Sequence, residues 1–330
     1  MVQTFYQQES ANRRNSLLLI LLVGLILGAL GFAVGYAVSG YLEGAVIVTG
    51  GALVFASLLS AGSYFAGDSL VLSASQARPV SPADQPQLMN VVQELSIAAN
   101  VPLPAVYLID DSAPNAFATG RDPKHASVAV TSGLLEKLDR EELQGVIGHE
   151  MSHVRNFDIR FALLVAVLVG SIALISDLFL RGFLRFGIFG GGGGRGGRDR
   201  GGGGGILVLV MIVLAVVLAV LAPIFAAFVQ LAVSRQREYL ADASSVELTR
   251  NPSGLERALV KVASDRDVLE VANRATQHLY FVNPIKKFEA RASGLMSTHP
   301  PIVDRINRLR ALRGASPVGG ADALTLEDLD

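Results

Sequence analysis

Four apolar blocks, Ser16–Val38, Ala45–Phe65, Ile159–Leu180 and Ile206–Val233, restrict this chain more than any other feature. A bilayer core needs about 20 apolar residues to be crossed as a helix. Inside it the backbone must satisfy its own polar groups, so each block is expected to be helical. Of 330 residues, 51% are hydrophobic and 17% charged, which is more apolar than a soluble protein. The first block is too long for the h-region of a cleaved signal peptide, about 7–15 residues. The short connection 39–44 makes the first two blocks a hairpin. Arg13 and Arg14 just before it place the N-terminus in the cytoplasm, and two spans return the chain there near Asp68.

The other pair of blocks is less simple. Between them lies a Gly/Arg-rich loop, residues 181–205, with Arg181, Arg185, Arg195, Arg198 and Arg200 against Asp199. If both blocks cross fully, this loop lies outside, against the positive-inside trend. Either that trend fails here or the pair does not cross completely. A glycine-arginine tract can also bind RNA or acidic lipid heads, but a short one is ordinarily a linker. The net charge of -1 gives no field for nucleic acid, and none is expected as a partner.

The polar stretches read as a mixed α+β unit. Ser81-Pro82 is expected to open a helix running to about Asn100. Strands are expected at Ala105–Ile109, at Asn115–Thr119 as a short edge, and at Ser127–Thr131. Thr131-Ser132 caps a helix through Leu138. Asp139 and Glu142 then form a capping box, and Leu143, Val146, Ile147 and Val154 recur at helical spacing. Asn251-Pro252 opens a helix through about Ala263. A last helix spans Pro300–Leu312, with Ile302, Ile306 and Leu309 at core spacing. Residues 265–298 carry no clear pattern, and 314–330 form an acidic, disordered tail.

Residues 149–153, His-Glu-Met-Ser-His, fit the pattern H-E-x-x-H. On a helix, His149 and His153 share one face, where both imidazoles can reach one metal ion. Glu150 projects beside them as a general base. Zinc suits such a site, and it lowers the pKa of bound water to about 7. Gly145 and Gly148 allow another backbone or a substrate to come close. The chain has no cysteine and five histidines, so histidines and carboxylates must hold any metal. A further protein ligand is required from elsewhere. Glu238 and Asp242 lie four apart on an expected helix, 234–250, and Asp242 is suited to orient a ligand imidazole. His125 and His278 have no motif around them and are read as surface or packing residues.

Taken in order, His-Glu-Met-Ser-His-Val-Arg-Asn-Phe-Asp at 149–158, Pro-Asn-Ala-Phe-Ala-Thr-Gly at 114–120, Ser-Arg-Gln-Arg-Glu-Tyr-Leu-Ala-Asp at 234–242 and Ser-Thr-His-Pro-Pro at 297–301 resemble HtpX-type membrane metalloproteases. These are gluzincins, relatives of the type-1 CAAX prenyl protease. The resemblance implies one zinc ion held by His149, His153 and Glu238, with Glu150 as base. It further implies Asn115 on the substrate backbone beside the metal, His299 donating to the oxyanion and Asp242 behind a ligand histidine. Phe157 stands where the family often has glycine, and the Gly/Arg tract is longer than expected.

The expected fold is a mainly α membrane protein with an α+β zincin-like protease domain, a small edge-stranded sheet with the HExxH helix, and about four transmembrane helices. The expected divisions are 1–67 with the hairpin, 68–158 with the motif helix, 159–233 with the second pair, 234–313 with the third ligand, and the tail 314–330. The resemblance implies a multi-pass protein of the bacterial inner membrane that cleaves misfolded or damaged membrane proteins on the cytoplasmic side. Its partners would then be such substrates and the lipid bilayer. Alternatives are a narrow processing protease of the CAAX type and a non-catalytic scaffold or chaperone. The scaffold would need a closed metal site with a fourth protein ligand.

Overall fold

The structure, a computed structural model, describes residues 5–168, 235–265, 267, 269, 279–282 and 300–318. It divides into two compact units, one of residues 1–16, 64–166 and 229–330, the other of residues 17–63 and 167–228.

Helices α1 (Phe5–Ser39) and α2 (Leu42–Ala74) run as a hairpin, of which residues 17–63 belong to the second unit. Among the described residues these two helices are long and apolar enough to cross a membrane. Helix α2 continues nine residues past Phe65, the expected end of its apolar block. Residues 158–168 are helical, at the start of the third block. The rest of that block, the Gly/Arg loop and the fourth block lie outside the described residues.

The first unit holds a four-stranded sheet in the order β1-β2-β4-β3. Strands β2 (Ala105–Ile109) and β4 (Ala126–Thr131) pair in parallel, while β3 (Ala116–Gly120) pairs antiparallel to β4 at the edge. Strand β1 (Arg78–Pro79), too short to read from sequence, pairs antiparallel to β2. Helix α3 spans Pro86–Ala99 and not the expected start at Pro82. Pro86 explains this, because a proline is tolerated in the first turn but breaks a helix interior. Ser81 and Asp84 close a turn ahead of it, with the Ser81 hydroxyl 2.7 Å from Asp84 Oδ2.

Helix α4 (Ser132–Lys137) is capped by the Thr131 hydroxyl. Helix α5 (Arg140–Arg155) carries the motif and opens with the capping box of Asp139 and Glu142. Leu143, Val146, Ile147 and Val154 are all buried in one core with α3 and the sheet. The Glu238 helix (Arg235–Thr249) and the helix Pro252–Ser264 pack against α5. Gly145 and Gly148 make this possible: a Cβ on Gly145 would lie 2.7 Å from the Leu255 backbone, and one on Gly148 2.8 Å from Ser245 Oγ. The close approach is therefore by neighbouring helices. A last helix spans Ile302–Leu312. Residues 315–318, expected to be disordered, lie against it, with Val318 N–H donating to Asn307 Oδ1 at 2.8 Å.

Candidate metal centre

His149 and His153 stand one turn apart on α5, and their Nε2 atoms face each other at 3.1 Å. Behind them, His149 Nδ1 meets Asp242 Oδ1 at 2.9 Å and His153 Nδ1 meets Asp158 Oδ2 at 3.0 Å. An ionised carboxylate only accepts, so these partners assign each ring hydrogen to Nδ1. Both Nε2 atoms are then turned towards one point, where a proton or a metal ion can sit between them. Glu238 joins from its own helix: Oε2 is 3.6 Å from His149 Nε2, and Oε1 is 3.6 Å from His153 Nε2. The ligand atoms of these three residues all lie within 4.8 Å of one another. Tetrahedral bonds to zinc of about 2.0–2.2 Å separate ligand atoms by roughly 3.3–3.5 Å, so this donor set fits that ion.

The electrostatics follow from burial and pairing. Burial alone would depress the His149 imidazolium, but Asp242 and Glu238 raise it above its usual value. Burial works the same way on His153, yet Asp158 and Glu238 push it up to about 9. Burial alone would raise the Asp242 carboxyl; Arg305 and His149 overcome this and hold it low. Glu150 is only 2% exposed. Burial pushes its carboxyl up, partly countered by His149 and His153, and a hydrogen bond from the Ala118 backbone fixes its place beside β3. It is no solvated helix glutamate.

Two residues in this centre were not singled out from sequence. Asp158 lies inside the motif stretch 149–158, but only the turn after α5 brings it under His153. Arg305 is 1% exposed and donates to Asp242 through Nε at 2.9 Å and a terminal nitrogen at 2.7 Å. Its other terminal nitrogen donates to the Phe281 carbonyl at 3.2 Å. Arg305 thus locks Asp242, which in turn orients His149. The last helix is itself tied down by Glu256, fully buried and bonded to Arg310 and Arg313.

Asn115 joins β3 to residues 281–282. Its Nδ2 donates to the Val282 carbonyl at 2.8 Å, and its Oδ1 accepts from Ala116 N–H at 3.0 Å and Val282 N–H at 3.2 Å. The Phe281 N–H reaches the Ala116 carbonyl at 2.7 Å. The Asn115 side chain thus holds residues 281–282 in place, and the Phe281 ring meets His149 edge-on at 5.0 Å. His125 is a surface residue paired with Asp122 at 2.8 Å. His278 and His299 lie outside the described residues.

Peptidase family M48 matches residues 82–313. A protein named "Protease HtpX homolog" from Streptococcus uberis is 42% identical over 306 residues, covering 92% of this chain and 99% of its own length. Another of that name, from Dictyoglomus thermophilum, is 40% identical over 312 residues, covering 94% and 95%. The crystal structure of S. mikatae Ste24p superposes with a TM-score of 0.43 at 17% identity, over 92% of this chain and 67% of that one.

Three residues able to hold a metal ion, in a chain with apolar helices and such relatives, make this a membrane metalloprotease. The match covers well over half of the sequence. The chain belongs to Peptidase family M48.

Proposed function

We propose that this chain is a zinc-dependent endopeptidase of the bacterial inner membrane that cleaves misfolded or damaged membrane proteins on the cytoplasmic side, as part of a stress response. The observation that carries the chemistry is the pair of Nε2 atoms facing each other at 3.1 Å beside Glu238. His149, His153 and Glu238 would hold one zinc ion. When bound, zinc supplies Lewis acidity at the scissile carbonyl and acidity to the attacking water.

The chain's own residues do the rest. Asp242 and Asp158 fix the ring orientations of the two histidines. Glu150 takes a proton from the attacking water and returns it to the leaving amine. Its carboxyl, pushed up by burial, is suited to both halves of that exchange. The proposal retains His299 as donor to the oxyanion. It gives Asn115 the role of fixing residues 281–282 beside the centre. The cytoplasmic placement rests on Arg13 and Arg14, in α1 just ahead of the first apolar block.

The test is Glu150→Gln in the purified full chain, with zinc content and digestion of casein and a membrane-protein substrate measured together. Zinc should remain while proteolysis is lost. Undiminished cleavage by the zinc-loaded variant would exclude Glu150 as the base. For sidedness, single cysteines at Glu136 and Ser316, both exposed, should resist an impermeant thiol reagent added to intact cells.

A further inference from the structure

We infer that Asn12, on the first helix, is a positioning residue for His153 and acts through Asp158. The inference rests on the proposed reading of His153 as a metal ligand.

Asn12 is almost fully buried, although it precedes the first apolar block. Its Nδ2 donates to Asp158 Oδ1 at 2.6 Å and to the Asn156 carbonyl at 3.0 Å. The other Asp158 oxygen holds His153 Nδ1 at 3.0 Å. One carboxylate therefore bridges the amide of Asn12 and the imidazole of His153. Arg237 completes its surroundings, 3.7 Å from Oδ1. The amide cannot be reversed, because both of its partners are acceptors. Its own Oδ1 has no hydrogen-bond partner among the described residues. A buried carbonyl left in that state is unfavourable, so the two donated bonds are what keep this side chain in place.

The turn that carries Asp158 back under His153 needs this support. Phe157 adopts φ of 60°, in the left-handed region that favours glycine. A bond to the carbonyl of the preceding residue, Asn156, pins one side of the turn. The Arg13 guanidinium lies over the Phe157 ring at 4.7 Å and covers the other. Neighbouring residues of α1 thus clamp both the carboxylate and the turn. Residues 1–16 accordingly cluster with the protease unit. Without Asn12 the Asp158 carboxylate is free to swing, and His153 loses the fixed ring orientation that metal binding requires.

The experiment uses the full-length chain in detergent, carrying Glu150→Gln to prevent self-cleavage, with zinc affinity measured by chelator competition. Asn12→Ala should weaken zinc about 10-fold, and Asp158→Ala about 10–100-fold, as for other residues that orient a ligand. The double variant should bind zinc as Asp158→Ala does alone, because Asn12 has no other route to the metal. Asn12→Gln, which keeps the amide, should lose less than Asn12→Ala. Ser16→Ala, which removes only the hydroxyl bonded to the Asn12 carbonyl, should match the parent. Cobalt substituted for zinc should show a shifted visible spectrum in Asn12→Ala. Unchanged affinity and spectrum in Asn12→Ala, or a further loss in the double variant, would overturn the inference. If Asn12→Ala does not fold, Asn12→Gln carries the same comparison. A parent chain that binds no zinc would instead sink the metal-site reading beneath it.

Discussion

The hairpin and the metal centre are built on opposite plans. Between residues 17 and 63 the hairpin turns Leu17, Leu21, Leu25, Ile47 and Leu58 outward. Its two helices meet through small residues: a Cβ on Gly31 would lie 2.7 Å from Ala52 Cβ, and one on Gly35 2.8 Å from Ala45 Cα. The metal centre instead buries Glu150, Glu238, Asp242 and Arg305. Lipid would cover the first arrangement, where close backbone packing holds the helices together. The second depends on charges that are matched in pairs, and removing one member strands the other. Substitutions should therefore act gradually in the hairpin and abruptly in the centre.

The sharpest break is Glu238→Ala, which should empty the site and abolish proteolysis, since two histidines alone do not hold catalytic zinc. Metal analysis after dialysis checks this, and a full site would reassign the third ligand. Next comes Arg305→Met, which leaves Asp242 buried and unmatched. It should cost on the order of 3–5 kcal/mol of stability, read from denaturant midpoints in detergent. In the hairpin, Gly35→Leu forces the helices apart and should cost about 1–3 kcal/mol. Zinc affinity should be untouched, and a drop in it would blur the division drawn here.

The pH dependence separates proton from metal at the same atoms. His153 is raised in the folded chain from 6.5 to about 9. Without metal, its contribution to stability is full below pH 6.5 and lost as pH rises through about 9. Zinc must displace that proton, so its affinity should rise over the same window, roughly tenfold per pH unit for each proton released. Thermal melts from pH 6.5 to 9 should fall without zinc and stay nearly level at saturating zinc, because neither the zinc-bound nor the unfolded chain carries that proton. The smallest effect is expected at Glu247, an exposed acid on the Glu238 helix. Glu247→Ala should stay within about 0.5 kcal/mol of the parent and keep its zinc. Loss of metal there would show that the face of this helix has been misassigned.

What the sequence revealed was mostly local. The capping box, the buried face of α5 and the pairing of Glu238 with Asp242 each depend on spacings of three or four residues within one helix. Three of the four strands were found to within a residue because their apolar runs are bounded by turn residues. Pro86 shows the limit of such signals: Ser81-Pro82 also looked like a helix start, and the second proline decided the matter. Arg305 was hidden for another reason. It reaches Asp242 across 63 residues and His149 across 156, and the one local signal was its place three after Ile302 and four before Leu309, on the apolar face of its helix. Asp158 is only five residues from His153, yet their contact depends on the left-handed backbone at Phe157. A pattern of residue types does not contain that angle, although the family's glycine at this position points to it.

Gly145 and Gly148 carry a warning for anyone engineering this protein. By helix propensity alone, glycine to alanine within α5 looks like a safe gain of about 1 kcal/mol. Here the added methyl groups would strike the Leu255 backbone and the Ser245 hydroxyl. Ser245 sits one turn beyond Asp242 on the helix that also bears Glu238. Pushing that helix away would stretch the carboxylate side of the metal centre while leaving the HExxH residues themselves intact. A thermostability campaign guided by secondary structure alone would thus choose substitutions that make the chain melt earlier and hold zinc less well.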